Sequence, residues 1–199
     1  MALTDQVWTS DNTDPFDRLL IQDGFSRAYA PGIMMAWVTD APNYLNKRVT
    51  PLEYRFLSSM QGALGIGANL NHWNDEDFAK AKRLVAEYKT IRSTVQQGNL
   101  YRLVSPQRGS ARSATLSVAQ DGKQAVLFAF LHSGGRRDPQ PRIELRGLDP
   151  KRLYALRAIS GSAALRTPQR ASGAYWMGRG LDVVLEGDFQ AAAFVLDAA

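Results

Sequence analysis

With 199 residues and no cysteine, the chain is long enough for one average domain or two small ones, and disulfides and thiolate metal sites are excluded. The 24 Lys and Arg outweigh the 19 Asp and Glu to give a net charge of +5, but they are scattered. The one adjacent Arg pair, Arg136-Arg137, lies in a Gly- and Pro-rich loop with no interleaved aromatics, so no nucleic-acid partner is expected.

The first half alternates strand and helix. A single strand fits up to Trp8, and the turn Ser10 to Thr13 follows directly. Asp14-Pro15-Phe16-Asp17 opens a helix: Asp14 can accept from the first free amides, Pro15 suits the first helical position, and Asp17 favours the positive end of the dipole. Phe16, Leu19 and Leu20 are the expected apolar face. After Pro31-Gly32, Ile33 to Val38 is a continuous apolar run, which suits a parallel strand buried on both faces, with Trp37 packed between sheet and helix and Met34-Met35 in the core. Thr50-Pro51-Leu52-Glu53 reads as a capping box opening a second helix through Tyr54, Phe56 and Leu57. Gly62 to Gly67 is a short strand whose small residues permit close backbone approach. From Asn74 or Asp75 a longer helix carries Phe78, Ala81, Leu84, Val85, Tyr88 and Ile91 on one side and ends before Gly98.

After Gly98 the period becomes two. Expected strands are Asn99 to Val104, a hairpin of Ala114 to Ala119 and Gln124 to Leu131 around Asp121-Gly122, then Pro141 to Leu145, Leu153 to Ile159, Leu181 to Glu186 and Gln190 to Leu196. Their spacing predicts an antiparallel β-sandwich. The expected partition is therefore residues 1–97, α/β, and residues 98–199, all-β. Three βα units cannot close a barrel, which needs about eight strands, and a lone three-stranded parallel sheet leaves open edges. Further strands are expected from elsewhere, upstream on the same chain or on another one.

Trp8-Thr9-Ser10-Asp11-Asn12-Thr13-Asp14 puts acids in the turn between a strand and its helix, where parallel α/β folds collect their chemistry. Asp14 and Asp17 are explained as helix caps. Asp11 lies three residues ahead of the cap and is the candidate catalytic carboxylate, with Asn12 and Asp40 as secondary candidates for substrate contact. Asp40 follows a strand, but Asp40-Ala41-Pro42 also reads as ordinary turn chemistry. With only His72 and His132 present, no metal site is expected, and nothing in the sequence calls for a cofactor. No run approaches the roughly 20 apolar residues that cross a bilayer, and Met1 to Gln6 lacks the basic start and apolar core of a signal peptide. Hence no membrane partner is expected, and cytoplasmic residence is the default.

The segment Val7-Trp8-Thr9-Ser10-Asp11-Asn12-Thr13-Asp14, with Arg18-Leu19 and Ile21-Gln22, resembles the acid/base segment of glycoside hydrolase family 36, the large bacterial α-galactosidases or melibiases. The resemblance continues through Arg48-Val49-Thr50-Pro51-Leu52-Glu53, Glu87-Tyr88-Lys89, Leu100-Tyr101-Arg102-Leu103, Val126 to Phe130 and Leu145-Arg146-Gly147-Leu148-Asp149-Pro150, in the family's order. It implies the last three βα units of a (β/α)₈ (TIM) barrel followed by a C-terminal antiparallel β-sandwich. It also implies retaining hydrolysis of terminal α-galactosides, with Asp11 as general acid/base and a homo-oligomer among the partners. The family also holds α-N-acetylgalactosaminidases and plant galactosyl transferases. A retaining site needs a second carboxylate about 5–5.5 Å away as nucleophile, which the family carries in a Lys-Trp-Asp motif. None of Trp8, Trp37, Trp73 and Trp176 is followed by Asp, so the isolated chain is expected to be inactive. The alternative expectation is a silent truncated product or a β-sandwich interaction module. Trp37 stands where family members often have histidine.

Overall fold

The computed structural model describes residues 4–107, 110–134, 142–164 and 167–199; the Arg136-Arg137 pair and Pro141 lie outside them. The chain divides into two compact units, Met1–Gln97 and Gly98–Ala199.

In the first unit, strands β1 (Val7–Trp8), β2 (Met34–Val38) and β3 (Ala63–Ile66) form a parallel sheet in the order β1-β2-β3. They alternate with helices α1 (Pro15–Phe25), α2 (Leu52–Ser59) and α3 (Asp75–Gln97). Asp14 caps α1 as its position suggests, its carboxylate accepting the Phe16 and Asp17 amides at 3.1 and 2.9 Å. The inward face of α1 is more polar than expected. Arg18, Gln22 and Asp23 are buried with Leu19, while Leu20 is exposed. The polar groups have partners: Gln22 donates to the Ser58 carbonyl and the Ser58 hydroxyl to the Pro15 carbonyl, tying α1 to α2. At α2 the expected capping box is absent, because Pro51 occupies the cap position and the helix begins at Leu52.

Strand β2 is buried on one face only, which corrects the expectation from its unbroken apolar run. Met34, Ala36 and Val38 are inside, whereas Trp37 on the opposite face is 40% exposed. A two-residue alternation sends neighbouring side chains to opposite faces whatever their polarity.

Strand β3 is an edge within this unit, and α3 covers part of that edge. The Tyr88 hydroxyl donates to the Gly62 carbonyl (2.6 Å) and accepts the Leu64 amide (3.2 Å) and the Gln96 side-chain amide (2.8 Å). Tyr88→Phe removes all three bonds and leaves buried backbone groups unpaired, so it is expected to lower stability by about 1–3 kcal/mol in urea denaturation. A change within measurement error would show that the edge does not depend on this hydroxyl.

The second unit centres on a six-stranded sheet in the order β4-β5-β6-β11-β7-β9, built from β4 (Asn99–Val104), β5 (Arg112–Val118), β6 (Gln124–Leu131), β7 (Leu153–Ser160), β9 (Arg170–Ser172) and β11 (Gln190–Ala198). All its pairings are antiparallel. The Asp121-Gly122 turn closes the β5–β6 hairpin with Gly122 at φ +66°, a conformation suited to glycine. Strands β8 (Ser162–Ala163) and β10 (Val183–Val184) form a separate antiparallel pair. Two expected strands are shorter than read from sequence: Ile143 makes only a bridge to Leu181, and Leu181 to Glu186 contributes only β10. A helix that the sequence reading missed, α4 (Gly173–Arg179), is capped by the Ser172 hydroxyl. Leu116, Leu127, Phe194, Leu196, Trp176 and Leu181 lie in one buried cluster on the sheet.

Candidate functional site

The C-terminal ends of the three parallel strands surround a cavity of about 390 Å³. Trp8, Asp11 and Thr13 come from β1 and its loop; Trp37, Thr39, Asp40, Pro42 and Tyr44 from β2 and its loop; Gly67 from the end of β3. Asp11 and Asp40, candidates from sequence, thus share one cavity. Asn12 is not among its walls.

Asp11 is exposed, and its position is fixed from two directions. The Trp8 indole Nε1–H donates to Oδ1 at 2.8 Å, and the Tyr44 hydroxyl donates to the Asp11 carbonyl at 2.5 Å. No residue among those described hydrogen-bonds Oδ2, so one carboxyl oxygen is anchored and the other has no protein partner among them. Beneath Trp8 lies Arg18, its guanidinium carbon 5.7 Å from the ring centroid, donating to the Thr9 hydroxyl (2.5 Å) and the Met35 carbonyl (2.6 Å). One buried cation therefore ties the ends of β1 and β2 together, and burial pulls its pKa down to about 10.

Asn12 works inside the loop. Its side-chain oxygen accepts the Asp14 amide (3.0 Å) and its side-chain nitrogen donates to Asp17 (2.8 Å). Asp14 is fully buried and adds an ion pair with Arg48 to its two cap bonds, and Arg48 also reaches Asp17 at 3.1 Å. Burial, and then the Asp14 carboxylate, push the Tyr54 phenol above its ordinary range, with Arg48 opposing. Asp40 accepts the Asn69 amide with both oxygens at 3.1 Å, and the His72 ring lies 3.8 Å away.

Trp37 is corrected most by the structure. It is part of the cavity wall, its ring centroid 4.7 Å from that of Trp8 at a 55° tilt, and it does not pack between sheet and helix. Its indole lies across β3. A Cβ added at Gly65 would stand 2.7 Å from Trp37 Cδ1, and one at Gly67 2.6 Å from Cε3. The small residues of β3 make room for this ring. Tyr44 was not singled out from sequence. Its place after the Asp40-Ala41-Pro42 turn, within reach of the Asp11 loop, was the available signal.

The cavity combines carboxylates that accept from hydroxyls with aromatic rings that cover the C–H face of a sugar, a pairing suited to a polyhydroxylated ligand. Among the described residues, no group of three or more His, Asp and Glu stands together as a metal site requires, and no helix is long and apolar enough to cross a membrane.

Residues 1–98 match the family model described as Melibiase, and residues 112–196 the model described as Glycosyl hydrolase family 36 C-terminal domain. The chain is 40% identical over 151 residues to alpha-galactosidase C of Emericella nidulans, an alignment covering 76% of this chain and 20% of that protein. It is 33% identical over 192 residues to an alpha-galactosidase of Lactobacillus acidophilus, covering 96% of this chain and 25% of that one. Among solved structures it resembles the family 36 alpha-galactosidase AgaB of Geobacillus stearothermophilus, with TM-score 0.88 and 31% identity over 98% of this chain and 26% of that one. A raffinose complex of AgaA from the same organism gives TM-score 0.87 and 28% identity over the same shares. The chain spans about a quarter of the length of these relatives.

Proposed function

The chain belongs to glycoside hydrolase family 36, the melibiase family, and from that premise we propose that it supplies the acid/base half of a retaining α-galactosidase acting on terminal α-galactosides of the melibiose and raffinose type. The observation that carries the proposal is Asp11 itself: an exposed carboxylate beyond β1, with one oxygen held by Trp8, in a cavity walled by aromatic rings. In this reading Asp11 protonates the departing glycosidic oxygen, the sugar is held as a covalent galactosyl ester on a second carboxylate, and Asp11 then takes a proton from the water that releases it.

The nucleophile is assigned to a strand outside these 199 residues, since no tryptophan here is followed by Asp. The three parallel strands and their helices are read as the last part of a (β/α)₈ barrel, residues 1–97. Residues 98–199 are read as the C-terminal β-domain. Asp40 is assigned to substrate hydroxyls, because a carboxylate already accepting an amide at both oxygens is a poorer attacking group. Asn12 is assigned to holding the loop.

The test is to join this chain in frame behind the upstream part of the Emericella nidulans enzyme and measure galactose release from raffinose. The hybrid is expected to turn over and the isolated chain to be silent. Turnover by the isolated chain, or a folded hybrid without activity, would refute the assignment.

A further inference from the structure

The second unit contains a cavity of its own, about 290 Å³, at the C-terminal end of α4. The local fold brings its walls together. Gly180 ends α4 at φ +71°, its amide bonded to the Trp176 carbonyl, and the chain enters at once the two-bond bridge between Leu181 and Ile143 (3.0 and 2.9 Å). A side chain at position 180 would be strained, by the positive φ and by a Cβ lying 3.0 Å from the Ile143 carbonyl oxygen. The bridge sets Arg142 beside Asp182, and the helix end sets Arg179 near both.

The chemistry of these walls is specific. Arg142 gives its Nε to both Asp182 oxygens at 2.7 and 2.8 Å and makes no other hydrogen bond among the described residues. Arg179 makes no ion pair or hydrogen bond among them and is exposed. Trp176 is fully buried in the cavity wall, and its Nε1–H has no hydrogen-bond partner among the described residues, an unusual state for a buried donor. Tyr175, 40% exposed, stands edge-on to it with centroids 5.6 Å apart.

We propose that this cavity is a saccharide-binding site separate from the Asp11 cavity, seating one sugar ring against Tyr175 with its hydroxyls shared among Arg142, Arg179 and Asp182. Three features select this class. The guanidinium nitrogens ask for acceptors, Asp182 asks for a donor, and hydroxyl groups are both. The aromatic wall suits the C–H face of a pyranose. The volume stands at the low end of the roughly 300–1,000 Å³ of small-molecule sites, more than an inorganic anion fills, and Asp182 disfavours a ligand that is purely anionic.

Titration of the ¹⁵N-labelled chain with raffinose, followed at the Trp176 Nε1–H cross-peak, tests this. The expected result is a saturable shift, weakened about tenfold by Arg179→Ala, which removes a charged donor, and weakened likewise by Tyr175→Ala. Trp37→Ala, in the other cavity, is expected to leave it unchanged. Both unit-two substitutions are at exposed positions, so they test binding without emptying the core. The proposal is overturned if raffinose produces no saturable shift at Trp176, if sulfate produces it and raffinose does not, or if the shift survives both substitutions.

Discussion

In a polypeptide joining this chain to the upstream barrel strands, Asp11→Asn is expected to lower kcat/KM for raffinose by about 10³-fold, within the range of a positioned general acid. Raffinose releases its sucrose part as a sugar alkoxide that needs a proton, and the Asn amide cannot supply one. An aryl α-galactoside whose phenol is already acidic needs no such help, so its first step should be much less affected. The galactosyl ester then accumulates, because no base remains to activate water. Azide needs no deprotonation and should restore turnover, yielding α-galactosyl azide with configuration retained. Steady-state rates on the two substrates, with and without azide, check the whole chain of consequences. Equal losses on both substrates and no effect of azide would remove Asp11 from the acid/base role.

The second large effect concerns the loop that presents Asp11. Asp14→Ala is expected to destabilise the first unit by about 3 kcal/mol, because one carboxylate oxygen serves as both helix cap and partner of Arg48. The Arg48 side chain is 26% exposed, so water recovers part of the lost attraction and the larger penalty of a sealed ion pair does not apply. Asp14→Asn keeps an acceptor for the Phe16 and Asp17 amides while losing the charge, and should cost about half as much. Urea titrations followed by tryptophan fluorescence distinguish the two variants. Similar losses for both would mean that the cap contributes little and the charge nearly everything.

The features readable from the sequence were those set by neighbours a few residues away. The Asp14 cap, the Gly122 turn and the alternation of strand and helix up to Gln97 each follow from local sterics and hydrogen bonding. Asp11 was singled out by its spacing from that cap together with the family resemblance, and it lies in the cavity wall. The misread features depend on distant partners. Thr50 looks like a cap until the backbone turns one residue later, at Pro51. Trp37 looks like core because every residue around it is apolar, and only the side of β2 taken by the helices decides that it faces the cavity. Arg18 and Gln22 lie on a helix face that periodicity would fill with apolar residues, yet they are buried because backbone carbonyls of β2 and α2 receive them. Helix α4 is only seven residues long, too short for a repeat to emerge, although Ser172 before it and Gly180 after it were visible start and stop signals.

The way Trp37 rests on Gly65 and Gly67 couples a residue of β2 to two neighbouring positions far along the chain. A methyl group on either glycine meets the indole below 3.0 Å, so a larger residue at position 65 or 67 requires the indole to move or position 37 to become smaller. Mutational libraries that vary one of these sites at a time would record positions 65 and 67 as restricted. Libraries that vary them together would open a second route, in which bulkier residues at 65 or 67 and a smaller residue 37 reshape the cavity mouth.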